Sequence, residues 1–267
     1  MSANLPTLLA LDFDGVICDG LWEYFQSTKR AYQRFWPCAD PTDLDNYAEA
    51  FYRLRPVIES GWEMPLLLRS LVLDIDQERI QHQWTAIAGE LQGQEGVGKA
   101  ELGLALDQVR DDWIHTNLGQ WLALHRFYPG VLVQLKTWIA NDNPPLLYIV
   151  TTKEGRFVQQ LLHSQGVNFP ADRIIGKEIK QPKFQTLQQL LVKHQIPGDR
   201  LWFVEDLLKT LKSVAQQPEL EQTRLFLAAW GYNTAAIRSS LQDQNRIHLL
   251  ALSQFTGTLD QWIPDYP

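Results

Sequence analysis

Residues 7–20 read TLLALDFDGVICDG, and this stretch decides the fold of the chain. The apolar run at 7–11 predicts a buried strand, and Gly15 allows the chain to turn sharply after it. Asp12 and Asp14 lie between the two. Residues two apart in extended backbone point to the same side, so their Cα atoms should be roughly 6.5–7 Å apart. Such a pair of carboxylates can share a divalent cation or divide the roles of nucleophile and acid, unless both are merely solvated loop residues.

The residues from about 20 to 126 have a helical pattern without strand-like alternation. Their apolar positions recur at helical spacing, as in Ile80, Trp84, Ile87 and Leu91. A loop is predicted inside this block at Gly93, Gly96 and Gly98.

Beyond the turn signal Tyr128-Pro129-Gly130, apolar strands alternate with helical segments. Extended segments are predicted at 146–150, 173–179, 201–204, 224–230 and 247–252. Strands separated by helices of this length indicate right-handed crossovers and a parallel sheet.

A first strand separated from the other strands by a helical block predicts a core domain with an inserted cap. We expect the core to comprise residues 1–18 and 127–267, and the all-helical cap to comprise residues 19–126. Both connections to the cap would then leave near the carboxyl end of the first strand, where open α/β sheets bind ligands.

The composition of the 267 residues is that of a globular protein, with 45% hydrophobic and 21% charged residues. A formal charge of −7 argues against nucleic acid as the main partner, although an anionic small molecule is compatible with it. Two cysteines, Cys18 and Cys38, cannot form a disulfide framework, and the N-terminus has no basic region before its apolar run. We therefore expect a cytoplasmic protein that does not bind membranes.

Further polar residues follow the later strands. Thr151 and Thr152 come directly after the strand at 146–150, where a hydroxyl near a starting helix can bind a phosphate oxygen, although Ser and Thr are also common helix caps. Glu205 and Asp206 follow the strand at 201–204 and are the oxygen ligands that Mg²⁺ prefers; acids also favour the first turn of a helix for its dipole.

A lysine in the segment KEIKQPKFQTL could hold a phosphate near these acids. The candidates are Lys180 and Lys183. We favour Lys183 because it falls in the first turn of the helix, with Leu187 and Leu190 four and seven residues further along the same face. Lys180 precedes the helix and remains the alternative.

The succession of Asp-x-Asp, Thr, Lys and Glu-Asp, each at a strand end, resembles the haloacid dehalogenase superfamily, in particular its phosphatase and β-phosphoglucomutase-like branch. The resemblance covers residues 7–18 and about 127–232, and the helical block resembles the family only as an inserted cap. It implies an α/β fold with a Rossmann-like three-layer core, a mostly parallel sheet and an all-helical cap domain.

The resemblance also implies roles for individual residues. Asp12 would attack phosphorus and form an aspartyl-phosphate, while Asp14 would protonate the leaving group and then activate water. Thr151 and Lys183 would hold phosphate oxygens. Mg²⁺ would be bound by four residues: Asp12, the Asp14 backbone carbonyl, Glu205 and Asp206. The sequence departs from the commonest pattern at Thr210, where a second acid is often found.

Substrate specificity is expected to reside in the cap, where Arg55 and Trp62 are the candidate contacts. A packing role for these side chains is the alternative. The resulting hypothesis is a Mg²⁺-dependent phosphohydrolase acting on a small phosphorylated metabolite. A phosphomutase with the same intermediate and a non-catalytic binding module are the alternatives, and the sequence leaves the substrate, the oligomeric state and the choice among Mg²⁺, Mn²⁺ and Co²⁺ open.

Overall fold

The computed structural model describes residues 5–38, 40–141, 145–241 and 246–263. The chain divides into two compact units. Unit 1 comprises Met1–Asp19 and Arg126–Pro267, and unit 2 comprises Gly20–His125. Unit 2 is therefore an insertion in the sequence of unit 1. The assignment of the units as a catalytic core and a specificity cap remains a prediction.

The described residues of unit 1 contain every strand of the described chain. These are β1 (Leu8–Leu11), β2 (Cys18–Asp19), β3 (Arg126–Phe127), β4 (Leu146–Val150), β5 (Ile174–Ile175), β6 (Leu201–Glu205), β7 (Arg224–Ala228) and β8 (Ile247–Leu250). Six of them form a sheet in the order β5-β4-β1-β6-β7-β8, and all its neighbouring pairs are parallel. Strand β1 lies in its interior between β4 and β6.

Helices occur in both units. Those of unit 2 are α1 (Leu21–Phe35), α2 (Ala48–Leu54), α3 (Glu63–Val72), α4 (Gln77–Glu95) and α5 (Lys99–Leu122), with 3₁₀ turns at Pro41–Tyr47 and Arg55–Val57. Those of unit 1 are α6 (Val131–Ala140), α7 (Gly155–Ser164), α8 (Lys183–His194), α9 (Leu208–Ala215), α10 (Ala235–Ser239) and α11 (Leu252–Phe255). Within residues 20–38 and 40–125 no strand is found, as the sequence predicts.

Both faces of the parallel sheet are covered, because its strands are apolar on both sides. On one face, Leu187 of α8 and Leu211 of α9 belong to the same buried cluster as Phe203. On the other face, the ring of Trp202 packs at 5.8 Å from that of Trp262. The α/β fold class with a three-layer core and a helical insertion is thus confirmed.

The predicted strands are confirmed, but the segment predicted as extended at 173–179 is mostly wrong. Only β5 is a strand there, and the chain turns into a 3₁₀ helix at Lys177–Ile179. Lys180 then adopts a left-handed conformation with φ of 53°, which ends the 3₁₀ helix. The predicted loop at Gly93 is also wrong, because that residue lies inside α4. A single glycine weakens a helix by only about 1 kcal/mol relative to alanine and does not end it.

The chain leaves unit 1 and returns to it through a two-stranded ribbon. Strands β2 and β3 pair in antiparallel fashion, with Cys18 opposite Phe127 and Asp19 opposite Arg126.

In the part of the chain that the structure describes, no helix combines the length and the apolar composition needed to cross a membrane.

Candidate active site

The turn after β1 is closed by its own backbone. The amides of Ile17 and Cys18 both donate to the carbonyl of Phe13 at 2.9 Å, and the amide of Gly15 donates to the carbonyl of Cys18 at 2.8 Å. Gly15 has φ of +85°, and a Cβ there would overlap the carboxylate of Asp206. Glycine is therefore required at this position for its conformation and for its small size.

Three acids meet at the carboxyl ends of β1 and β6, which are neighbours in the sheet. Asp12, Glu205 and Asp206 each offer a carboxylate oxygen, and these oxygens lie within 4.8 Å of one another. All three residues are at most 5% exposed. The side chain of Asp14 is not part of this group. The structure thus brings together three of the residues that the sequence predicts around a metal ion.

Lys183 reaches the acid group from the first residue of α8. Its Nζ lies 2.9 Å from Oδ1 of Asp12 and 2.6 Å from Oε2 of Glu205, and the side chain is 10% exposed. Lys180, the alternative, is exposed at the end of the preceding 3₁₀ turn. The structure therefore places Lys183 beside Asp12, and its role in phosphate binding stays a prediction.

Both oxygens of Glu205 are already engaged. Oε2 accepts from Lys183, and Oε1 accepts from the backbone amides of Asp206 and Leu207, each at 3.0 Å. Glu205 consequently fixes the lysine and the turn after β6. This arrangement fits an anchoring role for Glu205 at least as well as the predicted role as a metal ligand.

The turn after β4 carries the predicted threonines. Thr151 is buried, and its Oγ1 accepts from the backbone amide of Lys153 at 3.1 Å, whereas Thr152 is exposed. The Nζ of Lys153 lies 3.3 Å from Oδ1 of Asp14. Sequence reasoning missed Lys153, although the segment IVTTK places it two residues after Thr151.

A further segment that sequence reasoning missed holds Asp206 in place. The backbone amide of Tyr232 donates to Oδ2 of Asp206 at 2.7 Å, and the side-chain amide of Asn233 donates to its carbonyl at 3.2 Å. A Cβ at Gly231 would collide with Asp206 and with the carbonyl of Gly15. The sequence feature that could have indicated this segment is the run Trp230-Gly231-Tyr232-Asn233, which directly follows β7.

The same segment is tied to the turn and the ribbon that follow β1. The indole of Trp230 donates to the carbonyl of Val16 at 3.0 Å, and the hydroxyl of Tyr232 donates to Oδ1 of Asp19 at 2.9 Å. The turns after three neighbouring strands, β1, β6 and β7, are therefore fastened together around the acids.

The pKa values of Asp12, Glu205 and Lys183 in this group differ from their ordinary values. Burial, together with the charge of Glu205, raises the pKa of Asp12 to about 7 against the opposing effect of Lys183. Burial also raises the pKa of Glu205. Although burial favours its neutral form, Asp12 and Glu205 hold the pKa of Lys183 above its ordinary value, so the lysine is a cation.

The residues present fit a divalent cation. Three carboxylates gather beside the ammonium of Lys183 in a buried site, and hard oxygen donors suit Mg²⁺. A cation there would oppose the effects of burial and of the charge of Glu205, which together raise the pKa of Asp12. The residues that would hold it are Asp12 and Asp206, with Glu205 in reach and the Asp14 carbonyl as predicted.

Arg55 and Trp62, the predicted specificity residues, belong to unit 2. Arg55 is 7% exposed, its guanidinium donates to the carbonyl of Ile58 at 2.8 Å, and it lies 5.1 Å from the ring centroid of Tyr24. The ammonium of Lys99 lies over the ring of Trp62, 4.7 Å from the ring centroid. Their contact with a substrate stays a prediction.

No protein-family model and no curated protein matches the sequence. Solved structures do resemble the chain. One is a haloacid dehalogenase-like family hydrolase from Streptococcus pneumoniae, with a TM-score of 0.59 at 14% identity over 93% of this chain and 94% of that one. Another, from Clostridium acetobutylicum, is described as a predicted phosphatase (TM-score 0.54, 13% identity, 91% and 94% covered).

A third similar structure, from Haemophilus somnus, is described as a predicted phosphoglycolate phosphatase, with a TM-score of 0.53 at 16% identity over 85% of this chain and 87% of that one. Identities this low establish the fold alone. The chain has the fold of the haloacid dehalogenase-like hydrolases and phosphatases. Within that fold, an acidic cluster lies at the carboxyl ends of β1 and β6.

Proposed function

We propose that the chain is a Mg²⁺-dependent phosphohydrolase that acts on a small phosphorylated metabolite through an aspartyl-phosphate on Asp12. The observation that carries the proposal is the buried group of Asp12, Glu205 and Asp206 with Lys183 at its edge. The net negative charge of −7 and the two cysteines support a small-molecule partner and a cytoplasmic setting.

In the first step, a carboxylate oxygen of Asp12 attacks phosphorus while the bond to the ester oxygen breaks. Asp14 gives its proton to that oxygen, and the alcohol leaves. In the second step, Asp14 takes a proton from water, the water oxygen attacks phosphorus, and inorganic phosphate leaves with the Asp12 carboxylate restored. Dividing one displacement in two lowers each barrier.

The other residues bind and orient. Lys183 counters the negative charge of Asp12 and of the phosphate, and Thr151 lies on the next strand end to hold a phosphate oxygen. When bound, Mg²⁺ would supply charge stabilisation to the transferring group. Its protein ligands would be Asp12 and Asp206, supported by Glu205 and the Asp14 carbonyl.

The proposal is tested by hydrolysis of a panel of phosphate esters with and without Mg²⁺, measured as release of inorganic phosphate. The panel includes 2-phosphoglycolate because one of the similar structures is described as a predicted phosphoglycolate phosphatase. We expect release that requires the metal and disappears in Asp12→Asn. Release from no ester, or full activity in excess chelator, would refute the proposal. Conversion of a sugar 1-phosphate to its 6-phosphate faster than release would show a mutase.

Two variants distinguish the principal metal ligand from the supporting one. Asp206→Ala should raise the Mg²⁺ concentration needed for half-maximal activity more than Glu205→Ala does, because both Glu205 oxygens are engaged by hydrogen bonds. A larger shift for Glu205→Ala would make that residue the principal ligand.

A further inference from the structure

Lys153 is a buried cation that the mechanism above does not use. It lies in the turn between β4 and α7, and its side chain is only 5% exposed. Burying an ammonium is costly unless a carboxylate or other acceptor pairs with it. Its Nζ meets Oδ1 of Asp14 at 3.3 Å, and the Asp14 side chain is 15% exposed. The pair therefore joins a buried lysine to the more accessible of the two aspartates after β1.

The direction of the Lys153 side chain is set by its backbone. Its amide donates to Oγ1 of Thr151 at 3.1 Å, and its carbonyl accepts from the amide of Lys177 at 3.1 Å. Strands β4 and β1 are neighbours in the sheet, with Ile149 opposite Leu11. The turns that follow them thus lie next to each other, which brings the lysine to Asp14.

The two lysines of the site divide the acids between them. Lys183 contacts Asp12 and Glu205, whereas Lys153 contacts Asp14. Loss of Lys153 would therefore leave the nucleophile and its lysine in place. The ion pair that it would break is the one with the proposed proton donor, Asp14.

We infer that Lys153 is a positioning residue that holds the Asp14 carboxyl by one oxygen and so presents the other to the leaving group. The inference rests on the proposed function. Proton transfer contributes to a rate only when the donor is within hydrogen-bond reach of the leaving oxygen, and a misplaced donor loses that contribution. The need for a donor is greatest when the leaving group is a poor one.

The test compares two esters of similar size in the presence of Mg²⁺: p-nitrophenyl phosphate, whose phenol leaves readily, and benzyl phosphate, whose alcohol needs a proton. The quantity is kcat/KM, since it reports only the steps up to release of the alcohol. In Lys153→Met we expect kcat/KM for benzyl phosphate to fall about 10- to 100-fold more than that for p-nitrophenyl phosphate. The matched control is Lys177→Met, which removes an exposed cation 3.7 Å from Glu154 and should leave the ratio of the two esters unchanged.

Equal losses for the two esters would overturn the inference, because they would mean that Lys153 binds the phosphate or only stabilises the fold. An unchanged ratio without any loss would overturn it as well. Lys153→Gln replaces Lys153→Met if the latter does not fold. Failure of the wild-type chain to release phosphate from any ester of the panel would refute the proposed function instead, so the two failures are distinguishable.

Discussion

Each unit of the molecule contains a buried ionic cluster, and the two clusters differ in their charge balance. In unit 1, the carboxylates of Asp12, Glu205 and Asp206 lie together, and the ammonium of Lys183 pairs with the first two. In unit 2, one carboxylate, that of Glu23, is fully buried and meets the guanidinium of Arg110 at 2.7 and 2.9 Å.

The second cluster is built for stability, since its carboxylate is paired in bidentate fashion and further held by Ser27 and Trp121. The first gathers three carboxylates beside the ammonium of Lys183 and raises the pKa of Asp12 by burial and by the charge of Glu205, and a structural site would gain nothing from that. Such an excess of buried acids can bind a divalent cation, and the bound cation can then attract a phosphate ester. The comparison indicates that the unbalanced cluster is the functional one.

The largest expected effect comes from removing the nucleophile. Asp12→Asn should lower kcat by several orders of magnitude, about 10⁴-fold or more, because an amide cannot form the acyl phosphate. Circular dichroism should show an intact fold. Turnover close to that of the wild type would exclude Asp12 as the nucleophile. It would also contradict the conclusion that the cluster in unit 1 is the functional one.

The balanced cluster should instead respond in stability. Arg110→Met leaves the buried Glu23 without its guanidinium and should lower the free energy of unfolding by about 3–5 kcal/mol. The matched control is Arg79→Met, which breaks an exposed pair with Glu90 at 3.1 Å and should cost under about 1 kcal/mol. Similar losses of stability in denaturant titrations of the two variants would contradict a structural role for the Glu23 pair.

The unbalanced cluster should make stability depend on pH when no divalent cation is present. The pKa of Asp12 is about 7 in the folded chain, above its ordinary value of 3.8. Because the folded state then holds the proton more tightly, the free energy of unfolding should fall as the pH rises from about 4 to about 7. Asp12→Asn removes this loss, so at pH 8 it should be more stable than the wild type by on the order of 1–4 kcal/mol.

The gain in Asp12→Asn should shrink towards zero near pH 3, below the ordinary pKa of 3.8, where the wild-type carboxyl is mostly protonated in the folded and unfolded states alike. Denaturant titrations in chelator at the two pH values measure it. A gain of equal size at both would show that the excess charge does not strain the site.

The smallest effect concerns the segment that holds Asp206. Gly231→Ala places a Cβ against Asp206 and should raise the Mg²⁺ concentration for half-maximal activity by about 10- to 100-fold, the usual cost of disturbing a group that supports a metal ligand. Gly89→Ala in α4 is the control, because no atom lies within 4 Å of its added Cβ. An unchanged metal requirement in Gly231→Ala would show that the segment does not position Asp206.

The sequence predicts the centre of this site better than its surroundings. Asp12 and Asp206 follow buried apolar strands, so a local pattern locates them, and the helical phase of Leu187 favours Lys183 over Lys180. The contact of Lys153 with Asp14 joins residues 139 apart in the chain. No local period signals such a contact, because it depends on two turns becoming neighbours only when β4 pairs with β1.

Tyr232 escaped prediction for a related reason, since its contact with Asp206 is made by a backbone amide that any residue possesses. The length of strand β5 was overestimated because Ile174 and Ile175 continue into a segment whose composition resembles a strand but whose backbone forms a 3₁₀ helix at Lys177–Ile179.

The central claim, that a phosphoryl group passes through Asp12, is tested most directly by acid-quenching the enzyme during turnover with Mg²⁺ and a hydrolysed ester. Mass spectrometry of the digest should find one phosphoryl group on the peptide that contains Asp12. It should be absent from Asp12→Asn and from wild-type enzyme quenched in chelator. Steady turnover without phosphorylation of that peptide, or a phosphorylated peptide in Asp12→Asn, would contradict the account.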